Sequence, residues 1–560
     1  MIPITENTLF YGDNLQILRE YIPDESVDLI YLDPPFNSKR TYNVLFRDES
    51  GKDSEAQIAA FEDTWHWDAK AEETYYELIN ISPEQVVSTI SSFREFIGTN
   101  QMMAYLVMMA IRLVELHRVL KKTGSLYLHC DATASHYLKI LLDVVFGADQ
   151  FRNEILWKRS TPRGNASRKL AVSCDTILFY TKTGKHTWNR IYGEYRPEYI
   201  KKYYNVAEKD GRLFQPTSLL GHKGVNPVYE WRGITKPWRY PEHRLEELEQ
   251  ENKLYWPPKG KIPRLKRYLD EQKGQPLQSL WDDIPPINSQ AVERLGYPTQ
   301  KPLTLLERIV TASSNEGDTV LDPFCGCGTT VAAAQKLDRK WIGIDITHLS
   351  IALLKYRLKD MFKTKEKEDY KVVGEPQSLL GAKQLAEDNR YQFQWWALSL
   401  VRAKPLGATP GGKKGKKGAD KGIDGIINFI DDSSGKVKRI LVQVKSGHVH
   451  AGDIRDLKGT VEREKAAIRA FITLKPATKP MKTEATSTGF YYSEGWSMNY
   501  PKIQILTIEE LLNGVHVNMP PYNKTFKEAK KVSKGDPEVL KRLSKSEDEV
   551  TQEHVQDELW

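Results

Sequence analysis

Cysteine is scarce in this chain. Four occur among 560 residues, Cys130, Cys174, Cys325 and Cys327. That is too few to staple a chain of this length, which excludes a disulfide scaffold and fits a reducing cytosol. Long apolar runs are missing as well. The most apolar stretch, Ala104 to Leu120, is interrupted by Arg112, Glu115, His117 and Arg118, so it reads as a buried or amphipathic helix and not as a membrane span. The opening Met1-Ile2-Pro3-Ile4-Thr5-Glu6 lacks the basic and apolar regions of a signal peptide. A soluble, cytoplasmic protein with no membrane association is expected. Neither sign of charge dominates. Lys and Arg number 81 against 74 Asp and Glu, a formal charge of +7, so any nucleic-acid footprint has to be local. No Gly-Lys-Thr occurs, which argues against a triphosphate-binding loop, and no internal repeats are visible.

What remains is a globular composition, 40% hydrophobic and 28% charged, long enough for three or four domains. The near-continuous apolar run Val27 to Leu32 suits a strand buried on both faces of a parallel α/β sheet, and Pro34 and Pro35 must end it. Residues 46–95 are polar and punctuated, and read as a long surface loop with some helix. A helix is expected over about 101–121, a strand over Ser125 to His129, and a helix over about 134–146. Between 158 and 290 the character changes. Lys and Arg number 25 there against 15 Asp and Glu, interleaved with Trp188, Trp231, Trp238, Trp256, Trp281 and many tyrosines. Cations suit phosphates and flat rings suit bases; a basic irregular α+β insert is the plainer reading. From Leu303 the α/β pattern returns as helix, strand Thr319 to Asp322, glycine-rich turn, helix, and strand Lys340 to Asp345. Residues 360–390 read as a charged linker, and the basic run Gly411 to Gly418 is of low complexity. Beyond it come strands Gly425 to Ile430 and Arg439 to Val444 joined by a turn at 432–435, a helix (about 452–469), a strand Phe471 to Leu474, and a strand–helix pair (about 502–512).

Two segments carry chemistry. In Leu321-Asp322-Pro323-Phe324-Cys325-Gly326-Cys327-Gly328-Thr329-Thr330, the two glycines let backbone pass close to a ligand and the turn feeds a helix N-terminus. Asp345, at the next strand tip, can accept both hydroxyls of a ribose. In Asp33-Pro34-Pro35-Phe36, the Asp33 carboxylate and Pro34 carbonyl are acceptors for an aromatic amino group. Such a nitrogen is a poor nucleophile because its lone pair is delocalised, and two acceptors draw it toward tetrahedral geometry. Phe36 offers a face for a flipped base. Taken singly, each segment is equally a structural turn.

Together they closely resemble the amino-methylating DNA methyltransferases in the permuted order, catalytic motif first. Tyr297-Pro298-Thr299-Gln300-Lys301-Pro302, Tyr11-Gly12-Asp13-Asn14, Leu128-His129-Cys130-Asp131 and Asn153-Glu154-Ile155-Leu156-Trp157 match further parts of that family. The resemblance covers roughly residues 8–360 and implies a Rossmann-like, S-adenosylmethionine-dependent α/β fold. It implies catalytic roles for Asp33, Pro34 and Phe36. It implies cofactor contacts for Asp13, Thr299, Lys301, Asp322, Phe324, Gly326, Gly328, Thr329 and Asp345. Residues 1–157 and 291–362 would form the catalytic domain and 158–290 the target-recognition insert. The methyl group would pass directly to adenine N6 in double-stranded DNA, or to cytosine N4, whose amino group has the same geometry. No covalent intermediate would form, leaving Cys130 and Cys174 without a catalytic role.

In the last third, Asp424 opens one strand while Gln443 and Lys445 share a face near the end of the next. An ordinary solvent-side pair flanking a β-turn is one reading. Residues 385–515 also resemble the Mrr-like branch of the restriction-endonuclease fold, in which Asp424 and Gln443 would hold Mg²⁺ and Lys445 would position the attacking water. Glu387 and Gln394 are both candidates for that family's earlier acid. His448 and His450 read as solvated. Residues 363–384 would link the two domains and 516–560 form a charged tail. The combined expectation is a restriction–modification protein that methylates DNA and cuts it with Mg²⁺, with a methyltransferase carrying a non-cleaving DNA-binding domain as the alternative. A homodimer, or further restriction or defence subunits, are the expected partners.

Overall fold

Six consecutive residues, Val27–Leu32, are buried, and their side chains alternate between two cores. Ile30 and Leu32 enter one apolar cluster, Leu29 and Tyr31 the other, as the two-residue period of a strand covered on both faces requires. The computed structural model describes residues 6–35, 40–44, 58–63, 67–160, 170–288, 291, 293–295, 297, 299–405, 423–431, 437–464 and 466–521, with backbone alone at 40–44, 58–63 and 460–463. They divide into two compact units, one of residues 6–189 with 279–521 and one of Arg190–Gln278.

The first unit is built on nine strands: β1 (Thr8–Tyr11), β2 (Val27–Leu32), β3 (Leu120–Cys130), β4 (Phe151–Lys158), β5 (Cys174–Thr181), β6 (Leu280–Trp281), β7 (Thr319–Asp322), β8 (Lys340–Asp345) and β9 (Lys371–Val373). Their order across the sheet is β6-β4-β5-β3-β2-β7-β8-β1-β9. All neighbours are parallel except around β5, which runs antiparallel to β3 and β4. Strands nearly 300 residues apart meet in the middle, where Val320 faces Leu29 and Leu321 faces Ile30. Asp28 ties this join. Its carboxylate accepts from the Thr319 N–H (2.9 Å) and the Lys121 ammonium (2.8 Å), so a buried charge is paired. Helices α1 (Asn14–Tyr21) and α2 (Gln101–Val119) cover one face; α3 (Leu303–Ser313), α4 (Thr329–Lys336) and α5 (His348–Phe362) cover the other. This is a doubly wound α/β sheet.

The sheet reaches further than composition indicated. β5 lies within the span expected to be insert, because Cys174–Thr181 is an apolar run buried along nearly its whole length and is recruited between β3 and β4. β9 lies within the expected linker and pairs with β1. The polar stretch before α2 holds two full helices, Ala69–Ile81 and Glu84–Ile97. The first is capped by Asp68, whose side chain accepts from Ala71 N.

A second sheet in the same unit has the order β10 (Lys404–Pro405), β11 (Gly425–Ile430), β12 (Val437–Lys445), β13 (Ile468–Thr473), β14 (Ile503–Thr507). The first two pairings are antiparallel and the last two parallel. Helix α6 (Arg390–Leu400) packs on one face, and Ala451–Glu464 with Lys479–Ser487 on the other. The strand–helix pair at Ile503–Leu512 carries a capping box between Thr507 and Glu510. The runs 411–418 and 432–435 and the tail beyond 521 lie outside the described residues.

The second unit has a four-stranded antiparallel sheet, a hairpin of Val228–Trp231 with Ile234–Pro237, and a short antiparallel pairing of Tyr192–Gly193 with Gln275–Pro276; its core is Leu219, Trp231, Trp238, Leu245, Leu248 and Leu254. Among the described residues, no helix is long and apolar enough to cross a membrane.

Candidate active site

Three acids stand at or just past the C-terminal ends of three neighbouring parallel strands: Asp33 after β2, Asp322 ending β7 and Asp345 ending β8. This is the crevice where open α/β sheets bind ligands. Pro34 is buried and Pro35 half-buried; Phe36 lies outside the described residues. Asp33 Oδ2 accepts from the Lys301 ammonium at 2.5 Å. Lys301 is nearly buried, and its Nζ lies 3.4 Å from the Thr299 carbonyl. Its loop is held by Gln300, whose amide accepts from Leu295 N (2.7 Å) and donates to the Glu293 carbonyl (2.6 Å).

The glycine loop is shaped by its own acids. Asp322 Oδ1 accepts from Phe324 N at 3.1 Å. Asp345 Oδ2 accepts from Gly326 N (3.0 Å), and its Oδ1 accepts from both the Thr347 N–H and hydroxyl (2.9 Å each). Gly326 (φ +49°) faces the Tyr297 ring, and a Cβ there would lie 3.2 Å from it. Gly328 (φ +75°) caps α4, and a Cβ would come within 2.5 Å of Leu354 on α5. Burial pushes the Asp322 carboxyl up to about 7, with the charges of Asp33 and Asp345 adding to it and bonds from Thr330 and Phe324 N opposing. Burial likewise raises Asp345, against the bonds from Thr347 and Gly326.

Asp322 has a consequence for stability. Between about pH 4 and pH 7 the folded chain holds a proton on Asp322 that the unfolded chain has released, so stability falls across that window and is flat above it. Asp322→Asn removes the penalty. Its Tm is expected to match the parent at about pH 4 and below and to exceed it increasingly up to pH 8; a Tm difference independent of pH in a thermal scan refutes this.

Two residues assigned to the cofactor are held in structural bonds. Thr329 is buried, and its hydroxyl accepts from the buried Arg357 guanidinium at 2.9 Å. Asp13 caps α1 through Leu15 N (2.8 Å) and pairs with Arg112 on α2 at 3.1 Å through both oxygens. Its neighbour Asn14 donates to the Pro323 carbonyl (2.8 Å), tying this turn to the glycine loop. Phe324 packs against the core beside the loop. The donor set still fits an S-adenosylmethionine-type ligand. Asp345 Oδ2 takes one donor and retains acceptor capacity, the glycines leave the loop without side chains, and Lys301 supplies a cation.

Beneath Asp33 runs a buried chain that motif reading missed. The Tyr31 hydroxyl lies 2.9 Å from His129 Nδ1, His129 Nε2 lies 3.2 Å from Asp175 Oδ2, and Arg159 lies 2.9 Å from Asp175 Oδ1. Burial, together with the charges of Asp33, Asp322 and Asp175, raises the Tyr31 phenol well above its usual range. Burial alone would raise Asp175. The bond and charge of His129, with smaller contributions from Arg159 and Lys301, outweigh it and hold the carboxyl below its usual range. The sequence signal was the Leu128 to Asp131 segment, which carried no stated role.

The second constellation assembles differently from expectation. Asp424 Oδ1 accepts from the Gln394 amide (2.9 Å), and its Oδ2 accepts from Val444 N (2.7 Å). Gly425 makes this possible, since a Cβ there would meet Leu398 of α6 at 2.7 Å. Burial raises the Asp424 carboxyl against the Val444 bond and the charges of Lys445, Arg390 and Arg469. Glu387, His448 and His450 are exposed. Lys445 lies 3.8 Å from Asp453, and Gln443 stands beside it on β12. Among the described residues no group of three His, Cys, Asp or Glu side chains converges on a metal-sized site. Asp424 and Gln443 therefore do not fit the expected Mg²⁺ site: there is one carboxylate, and an amide donor faces it.

A doubly wound sheet whose adjacent strand ends bring an Asp-Pro-Pro turn beside a glycine loop has the methyltransferase type of α/β fold. The chain belongs to the DNA methylase family, whose model matches residues 27–355. A model described as NACHT-associated inactive restriction endonuclease 1 matches residues 411–513. Among relatives, the type II methyltransferase M.EcaI of Enterobacter cloacae is 34% identical over 247 residues, covering 43% of this chain and 54% of that one. The StyLTI Mod subunit of a type III restriction–modification enzyme from Salmonella typhimurium is 27% identical over 356 residues, covering 60% and 51%. The DNA adenine methyltransferase YhdJ of Escherichia coli is 24% identical over 340 residues, covering 60% and 78%. This chain thus spans about half the length of the first two.

Proposed function

We propose that this chain is a permuted methyltransferase that transfers a methyl group from S-adenosylmethionine to adenine N6 in double-stranded DNA. The observation that carries the reading is the join of β2 to β7, which sets Asp33 and Pro34 beside the loop Asp322 to Gly328. When bound, the cofactor supplies an electrophilic sulfonium methyl. The Asp33 carboxylate and Pro34 carbonyl accept the two N–H bonds of the base amine and turn its lone pair toward that methyl. Phe36 stacks on the extruded base. Gly326 and Gly328 give the loop its close approach, with Asp345 toward ribose hydroxyls and Lys301 and Thr299 toward the amino-acid end. Positioning and electrostatics carry the rate. The basic, aromatic unit Arg190–Gln278 within the span 158–290 supplies sequence recognition, and relatives named as restriction–modification subunits support partner subunits of that kind.

For the C-terminal domain we favour a restriction-endonuclease-like fold that does not cut. The specific observation is the Gln394 amide donating to Asp424, where a second carboxylate would be needed to hold a divalent ion.

One assay tests both halves. Supercoiled plasmid is incubated with the chain, Mg²⁺ and S-adenosylmethionine labelled in its methyl group. The expected product is intact plasmid carrying label as N6-methyladenine after digestion to nucleosides. Label in N4-methylcytosine reverses the base assignment, label confined to RNA controls refutes the DNA reading, and cleavage abolished by Asp424→Ala refutes the non-cutting one.

A further inference from the structure

Asp33, Asp322 and Asp345 make the strand ends of the crevice acidic, and the Lys301 ammonium is bonded to Asp33. This pairing sits awkwardly with a base-holding role. A carboxylate that already accepts a short charge-assisted bond from an ammonium is a weaker acceptor for a neutral amine. A ligand bearing its own carboxylate also faces three acids and needs a counter-charge. The Lys301 backbone is anchored, since Gln300 is bonded on both sides and Pro302 opens α3. Its ammonium, bonded to Asp33 and carried on a four-carbon stem, is the part able to change partners.

We infer that Lys301 is a positioning residue used in turn by two carboxylates: Asp33 in the free protein, and the carboxylate at the amino-acid end of the methyl donor once that binds. Asp33 then reaches its full strength as an acceptor for the base only when the donor is in place, which favours binding of the donor first. The inference rests on the S-adenosylmethionine reading above and adds to it the exchange of partners.

The test is calorimetric titration of the full chain with two probes. S-adenosylhomocysteine carries the carboxylate but no sulfonium charge; 5′-methylthioadenosine carries neither. Asp33→Asn deletes the competitor for Lys301, so it is expected to tighten S-adenosylhomocysteine about tenfold, the worth of one charge-assisted bond, and to leave 5′-methylthioadenosine unchanged. Lys301→Gln is expected to weaken S-adenosylhomocysteine by a similar factor. Its unchanged affinity for 5′-methylthioadenosine reports that the site is folded. In the double variant the gain from Asp33→Asn should vanish. The inference is overturned if Asp33→Asn leaves S-adenosylhomocysteine affinity unchanged, if both probes shift together, or if the gain survives in the Lys301→Gln background. If neither probe binds the parent chain, the cofactor reading itself falls, a result distinct from the other three.

Discussion

Asp33→Ala should lower the single-turnover rate of methyl transfer by about 10²–10³-fold, the cost of deleting one preorganised polar partner of a reacting group. The argument is local. Asp33 follows a strand with no exposed residue and precedes two prolines, so its carboxylate is delivered to one place with little freedom. Its side chain is short and polar and bonds to Lys301 across the crevice. The substitution should therefore leave the fold intact and leave S-adenosylhomocysteine bound at least as tightly as in the parent. Rapid-quench measurement with saturating duplex checks it. A variant within a factor of about three of the parent rate would remove Asp33 from the reaction, since a lost partner at the reacting nitrogen costs far more than that.

Gly328→Ala should cost about 2–5 kcal/mol of stability. A residue with a side chain held at positive φ costs about 1–2 kcal/mol, and crowding a packed core about 1–3 more. Both apply, because Gly328 sits at φ +75° and its added Cβ would press on Leu354 at 2.5 Å. Relief requires α4 and α5 to part, and these two helices flank the glycine loop and Asp345. Calorimetry should show Tm falling by about 5–10 °C, with loss of stabilisation by S-adenosylhomocysteine. Gly326→Ala, whose Cβ meets only the edge of the Tyr297 ring at 3.2 Å, should be the milder of the two. The reverse order would show that ring contact, and not helix contact, sets the loop.

Both acids and glycines of this site were legible in sequence because each lies in a short segment that carries its own geometry. Asp322, Gly326 and Gly328 share one turn, and Asp33 shares one with two prolines. What brings the two turns together was not legible. The pairing of Leu321 with Ile30 is set by which apolar strands find each other in the sheet, and no local pattern encodes it. The partners of the acids were hidden for the same reason. Lys301 and Asp33 are 268 positions apart and His129 and Asp175 46; Gln394, 30 positions before Asp424, is one of the two candidates that the resemblance supplies. Charge counting also misplaced a boundary, because the lysines and arginines around 158–290 masked the apolar run Cys174–Thr181 in their midst. At Asp424 the strand position was legible, while the amide that faces it comes from α6.

Helix α5 has two ends with different duties. At its start, Thr347 bonds Asp345; further along, the Tyr356 hydroxyl donates to the Ser399 carbonyl of α6 at 2.8 Å, and the Arg402 guanidinium lies 4.5 Å from the Tyr356 ring centre. The wall beside the strand tip is thus braced from behind by a domain with no metal-ligand cluster among its described residues. Such a buttress is worth keeping whether or not it performs any chemistry of its own, and a gene trimmed after α5 would leave that wall unsupported.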